Sequence, residues 1–186
     1  MSDRLAGKLL VAMPGIGDPR FSRTVIMMCA HDSKHAMGVV INKPKTELTL
    51  NDVLGHLGLD AESEVAERKV LDGGPVRRER GFVLHSDDFI ASGATQRIAP
   101  GISLTSTRDV LEAVAKQSAP ERFVLALGYS GWRAGQLEEE LKQNAWLVVE
   151  ADEAIVYGDE HDDKWARAIK TLGLDPSQLM GSMGNA

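Results

Sequence analysis

Apolar residues along this chain fall in short blocks, each closed by a polar or glycine–proline stop. Leu9 to Met13 is such a block and reads as a buried strand ending at Pro14-Gly15. Asp18-Pro19 has the form of an N-cap followed by proline at the first helical position, opening a short helical turn. Thr24 to His31 and Ala36 to Asn42 are two further strands around the polar turn Asp32–His35, and Lys43-Pro44 stops the second. Thr49 and Asp52 stand three apart, as in a capping box, before a short helix Leu50–Leu57 that ends at Gly58. Val70-Leu71 runs into Asp72-Gly73-Gly74-Pro75, and Gly81 to His85 reads as another strand. Thr95–Ala99 and Ile102–Thr105 flank Pro100-Gly101 as a hairpin.

The period then lengthens. Ser106 and Asp109 are placed to cap a helix that carries Val110, Leu111, Val114 and Ala115 on one face. Phe123 to Leu127 is continuously apolar, the pattern of a central strand, and Gly128 bounds it. Gly135 to Asn144 is helical, with Leu137 and Leu141 inward and a Glu138–Lys142 pair outward. Trp146–Val149 is a strand, and Ala154–Tyr157 reads as a strand extending it or pairing with it. A last helix, Asp163–Leu172, turns Trp165, Ala168, Ile169 and Leu172 inward; Gly173 stops it and Asp175-Pro176 begins a final turn. Hairpins early and helices late predict an α+β fold, and with no linker or repeat between the halves the 186 residues form a single domain.

Composition narrows the class. With 43% hydrophobic and 26% charged residues the chain is an ordinary globular one. The longest apolar run, Val25 to Ala30, is far too short to span a membrane, and Leu9–Met13 is too short for a secretory core. A lone cysteine, Cys29, excludes an internal disulfide and fits a cytoplasmic location. The net charge of −6 resides entirely in the second half, since residues 1–100 carry 13 basic and 13 acidic groups. Nucleic-acid binding would therefore depend on one local run, Arg68, Lys69, Arg77, Arg78 and Arg80, which Glu67, Asp72 and Glu79 interrupt.

Four patterns carry candidate chemistry. The Met13–Arg20 loop, a strand followed by glycines and a helix start, could hold an anion with Arg20 and Arg23; Gly15 and Gly17 lack the third glycine of a dinucleotide fingerprint. Gly128-Tyr129-Ser130-Gly131-Trp132 has the strand–serine–helix order of a nucleophile elbow, though Trp132 stands where the second glycine belongs. His161 with Asp159 downstream, or His85 upstream, would have to serve as its base. Cys29, His31 and His35 could cluster around a hairpin end, Cys29 and His31 sharing a strand face, but zinc ordinarily takes four ligands. The acids of Asp159–Asp163 lack the spacing of a calcium loop and suit the start of the following helix. No cofactor-binding or metal site is expected.

Five ordered motifs resemble those of the YqgE/AlgH family: Met13–Phe21, Ala36–Pro44, Asp72–Val76, Gly81–His85 and Gly128–Trp132 with Gly135–Glu138. The Trp165…Leu172-Gly173 stretch and the Gly184-Asn185-Ala186 end are similar to it as well. The resemblance implies one α+β domain built on a bifurcated, partly barrel-like mixed sheet surrounded by helices. It also implies a link to transcriptional control of alginate synthesis in some bacteria, with no settled biochemical activity. Family members often carry Glu at the place of Ala30, Gly at that of His35 and Ala at that of Ser130. The last departure weakens a nucleophilic role for Ser130.

The leading expectation is a non-enzymatic binding or regulatory protein. Segments 13–21, 42–44, 72–77 and 128–132 all fall at strand ends, and together they would line one hollow for a small anionic ligand or a protein partner. Its candidate residues are Arg20, Arg23, Asn42, Lys43, Gly73, Gly74, Arg77, Tyr129, Ser130 and Trp132. The alternatives are a DNA-binding regulator using Arg77, Arg78 and Arg80, and a serine-type hydrolase using Ser130.

Overall fold

A computed structural model describes residues 5–15, 19–60, 63–118 and 120–182. The strands are β1 (Lys8–Ala12), β2 (Val25–His31), β3 (His35–Val40), β4 (Pro44–Thr49), β5 (Lys69–Asp72), β6 (Val76–His85), β7 (Thr95–Ala99), β8 (Ile102–Thr105), β9 (Phe123–Arg133) and β10 (Trp146–Glu150). The helices are α1 (Leu50–His56), α2 (Ser63–Ala66), α3 (Arg108–Ala115), α4 (Gln136–Lys142), α5 (Glu153–Tyr157), α6 (Lys164–Lys170) and α7 (Pro176–Ser182). Short 3-10 turns occupy Pro19–Phe21 and His161–Asp163.

The strands form one mixed sheet in the order β10-β1-β2-β3-β9-β6-β8-β7, with β5 and then β4 branching from β9. The sheet curls into a half-barrel with helices around it, one α+β domain. β9 is the fork. One edge pairs with β6 along most of its length. The other pairs first with β5, in parallel at Ala126 and Leu127, and then with β3, antiparallel at Ser130 to Arg133. The change of partner falls at Gly128, whose φ of 82° is open to glycine and strained for other residues. Gly73 joins the two branches: its N–H donates to Leu127 O and its carbonyl accepts from Val40 N–H. Gly74, at φ 147°, lies so close to β9 that a Cβ would collide with the Tyr129 carbonyl.

Three apolar clusters follow from this frame. One fills the curl, where Leu9, Met27, Ile41, Phe82 and Ala126 meet Val156 of α5 and Trp165 of α6. A second lies under α4, around Leu10, Ile26, Val40, Trp132, Leu137 and Trp146. The third joins α1 and α3 to β6 and the first half of β9. Lys164 of α6 is fully buried, and its ammonium donates to Ile41 O and Val156 O. Burial lowers its pKa to about 7, with nearby Asp159 opposing the shift and Arg167 adding to it.

Several elements differ from the sequence reading. The strand expected at Phe123–Leu127 does not end at Gly128 but runs to Arg133, because glycine lets the chain change partner without turning. β4 begins at Pro44, where a strand stop was expected; it pairs only with β5, and at such an edge a missing N–H costs no ladder bond. Ala154–Tyr157 is not a strand but part of α5, capped by the Asp152 side chain on Ala154 N–H; a four-residue apolar run has no periodicity of its own. Ser106 does not cap α3. Thr107 occupies the N-cap, and the Ser106 hydroxyl accepts from Arg80. Leu172 points outward, 43% exposed. Glu138 bonds to His31 of β2, not to Lys142. The Asp18 cap, Gly17 and the 184–186 end lie outside the described residues.

Two predictions follow from this frame. Gly74→Val and Gly128→Val should each destabilise the protein by about 3 kcal/mol, the scale of backbone strain plus a forced steric shift; chemical denaturation measures it, and a change within 0.5 kcal/mol (about the ordinary surface scatter) would refute the fork's tightness. Lys164 sheds its proton near pH 7 when folded, whereas an unfolded lysine keeps it until about 10.4. The unfolded chain then binds the extra proton between these values, so stability gains from this group as pH rises. The difference in unfolding free energy between wild type and Lys164→Met should therefore shift in favour of wild type from pH 7 to pH 9; a flat difference would contradict it.

Candidate functional site

The loop after β3 and the loop after β5 leave the sheet side by side, since Asp72 N–H donates to Lys43 O. Between them and the Pro19–Phe21 turn opens a cleft of about 360 Å³, walled by Phe21, Val40, Lys43, Asp72, Gly74 and Arg78, with Pro75 at its edge. Three of the four segments expected at strand ends therefore meet here.

Each charged group is held by local structure. Asn42 is buried; its amide donates to Arg23 O and its carbonyl oxygen accepts from Val25 N–H. This clamp holds the turn in which Arg23 adopts a left-handed φ of 51°. The Arg23 guanidinium lies 5.4 Å over the Trp165 ring. The Lys43 ammonium donates to Ser22 O at 2.7 Å. Burial and the neighbouring positive charge of Arg23 hold its pKa below the usual lysine range, with Asp162 partly offsetting them. Arg78 is exposed, and its guanidinium lies 3.8 Å from the Asp72 carboxylate. Among the described residues the cleft thus combines two cations with one carboxylate and the backbone of Gly74.

The fourth segment is divided. Ser130 pairs with Gly38 and Trp132 with Ala36; cross-strand partners share a face, so both side chains lie on the α4 side of the sheet, as Val40 does. Ser130 is 1% exposed, its Oγ has no hydrogen-bond partner among the described residues, and its backbone adjoins Gly74. It is not among the residues that line the cleft. Trp132 packs edge-on against Trp146, and its indole N–H donates to Glu140. Tyr129 faces the opposite side, against Phe82. Gly73 is buried in the fork, and Arg77 is exposed with a left-handed φ of 46°. The side chain of Arg20 lies outside the described residues.

The nucleophile-elbow expectation is corrected by this placement. Ser130 sits inside a strand, not on an exposed turn. His85 is opposite Phe123, seven residues along β9, or roughly 23 Å at ordinary strand rise. His85 is itself buried between Thr105 Oγ1 and Ser86 O. His161 lies beside the same first residues of β9. Neither imidazole reaches Ser130.

Cys29 and His31 do not share a face. A bulge between Met28 and Ala30 makes Cys29 the extra residue and reverses the alternation after it. Cys29 enters the core of the curl, where burial pushes its thiol up to about 12. His31 turns to the α4 side; Nδ1 accepts from Leu5 N–H and Nε2 donates to Glu138 at 2.6 Å. That hydrogen bond holds the Glu138 carboxyl below its usual range. His35 pairs with Asp32. Among the described residues no group of three or more His, Cys, Asp or Glu side chains is placed to hold a metal ion.

The basic run is also split. Arg68 and Lys69 border a cleft at the start of β9, Arg78 borders the one above, and Arg80 lies against Phe82 and Ser106. No helix among the described residues is long and apolar enough to cross a membrane.

Comparison with known proteins agrees with this architecture. Residues 9–177 match the family model described as AlgH-like. The chain is 49% identical to a UPF0301 protein of Caulobacter vibrioides over 183 residues, covering 98% of this chain and 94% of that one. It is 46% identical to a UPF0301 protein of Ruegeria pomeroyi, covering 98% and 99%. The solution structure of the AlgH protein from Pseudomonas aeruginosa superposes with a TM-score of 0.80 at 37% identity, covering 97% of this chain and 95% of that one. A Corynebacterium diphtheriae protein, at 20% identity, shares the fold with a TM-score of 0.72, covering 93% and 90%. A match this long, on a sheet forked at the same glycine motifs that carried the resemblance, has one conclusion: the chain belongs to the AlgH-like family.

Proposed function

We propose that this protein is a non-enzymatic binding protein whose cleft between Lys43 and Arg78 takes a small anionic ligand. The observation that carries the reading is the meeting of three separate chain segments around one hollow with two cationic walls. Arg23 adds to the positive potential, since its charge already disfavours the protonated form of Lys43. An anion between them would relieve that repulsion, and in a partly desolvated cleft the gain exceeds that of a surface pair. Glycine at position 74 brings bare backbone to the cleft floor, where a larger residue would obstruct both the fork and the ligand.

Among the described residues, those lining the cleft include no serine, cysteine or histidine. Its polar groups are the Lys43 ammonium, the Arg78 guanidinium and the Asp72 carboxylate, which supply binding and orientation of an anion. Occupancy would tie together the loops after β3 and β5, which leave the two branches of the sheet. A regulatory role, including one in transcription, would act through that coupling and would not need direct contact with DNA.

The test is thermal unfolding with inorganic phosphate, pyrophosphate or citrate, each against sodium chloride of equal ionic strength. At least one anion should raise Tm by several degrees, since a hundredfold excess over Kd contributes about 2.7 kcal/mol. Lys43→Ala and Arg78→Ala should each abolish the rise relative to their own ligand-free baselines. No rise with any of the three, or a rise that survives both substitutions, refutes the reading.

A further inference from the structure

A second cleft, of about 440 Å³, opens where the start of β5 and the first residues of β9 face the segment after α5. It shares no lining residue with the Lys43–Arg78 cleft. Its floor is apolar, with Leu50 and Phe123. Its walls carry both signs of charge: Arg68 and Lys69 against Glu67 and Asp159. Arg68 is fixed in place, its guanidinium 4.5 Å from the Phe123 ring centre and donating to Phe123 O at 3.3 Å.

The lining also includes His161, only 8% exposed, whose Nδ1 is enclosed and has no hydrogen-bond partner among the described residues. Buried polar atoms are rarely left this way without a reason. Burial, reinforced by the charges of Lys164 and Lys69 and opposed by Asp159, lowers the His161 pKa to about 4. The imidazole is therefore neutral at neutral pH. It adds an uncharged polar ring to the lining of this cleft.

The charge arrangement selects among ligand classes. A simple anion would be drawn to Arg68 and Lys69 and repelled by Glu67 and Asp159; a simple cation would meet the reverse. A molecule carrying both signs engages all four. The volume lies in the range of about 300–1,000 Å³ usual for small-molecule sites, and the apolar floor favours an apolar substituent. We propose that this cleft binds a free α-amino acid with an apolar side chain, its carboxylate on Arg68 and Lys69, its ammonium on Asp159 and Glu67, and its side chain against Leu50 and Phe123.

The experiment is an NMR titration of the full chain with L-leucine and L-phenylalanine, following the His161 and Phe123 resonances. N-acetyl-L-leucine and L-leucinamide, each lacking one charge, serve as comparisons. Saturable shifts are expected with the free amino acids, and each blocked form should bind at least about tenfold more weakly, a difference of one decade in Kd. Lys69→Met and Asp159→Asn, both exposed positions, should weaken binding by a similar factor while Tm holds. Lys43→Ala should leave it unchanged, which separates this site from the anion cleft. Absence of saturable shifts with both amino acids overturns the proposal. So do equal affinity for the blocked forms, unchanged affinity in Lys69→Met and Asp159→Asn, or loss of binding in Lys43→Ala.

Discussion

The architecture depends on one close approach of backbone to backbone. At Gly73, Gly74 and Gly128 the sheet divides, and no side chain fits between the crossing strands. Gly73 spends its N–H on β9 and its carbonyl on β3, so the two branches are tied through a single residue. Because β9 pairs with β5 and β3 in turn along one edge, the curl, the core within it and the position of both clefts follow from where that change occurs. Glycine is required there for steric reasons before any ligand is considered. Loss of binding in a glycine variant would therefore say little about a site.

The fork also explains why charge collects where it does. Chain leaving a divided sheet emerges as neighbouring loops, and loops on a rigid scaffold can carry groups that a packed strand cannot. The Lys43 and Asp72 loops emerge together and form one cleft. The chain entering β5 brings Arg68 and Lys69 beside the start of β9 and forms the other. An acidic protein of net charge −6 thus places two cations in the lining of each of two hollows. Buried Lys164 and His161 lie close to the second, each with its proton affinity lowered mainly by burial.

Much of the fold was legible in the chain. The blocks at Leu9–Met13, Thr24–His31 and Ala36–Asn42 are strands to within two residues at either end. The Thr49–Asp52 capping box is present, both halves made. The hairpin around Pro100-Gly101 pairs as its turn chemistry predicts. These features rest on local rules, turn residues and apolar period, which act over a few residues and survive any tertiary setting. The misreadings have the opposite character. Gly128 looked like a stop because glycine usually ends a strand, yet here it lets one continue with a new partner. Ala154–Tyr157 has β-like composition, but the Asp152 cap and packing against the curl make it helical. Cys29 and His31 have strand spacing, and one inserted residue puts them on opposite faces.

By itself the sequence determined the α+β class, most elements, the glycines that must stay small and the family resemblance, since each is written in neighbouring residues. It also marked Lys43 and Gly74, which share a cleft, through their place at strand ends. Only tertiary structure decided which loops meet, that Ser130 is enclosed within a strand, and that His161 stands beside Arg68 and Lys69. Those juxtapositions join residues up to about ninety positions apart. They depend on strand order and on the branch at β9, and no local pattern of hydrophobic and polar residues encodes which distant edges will pair.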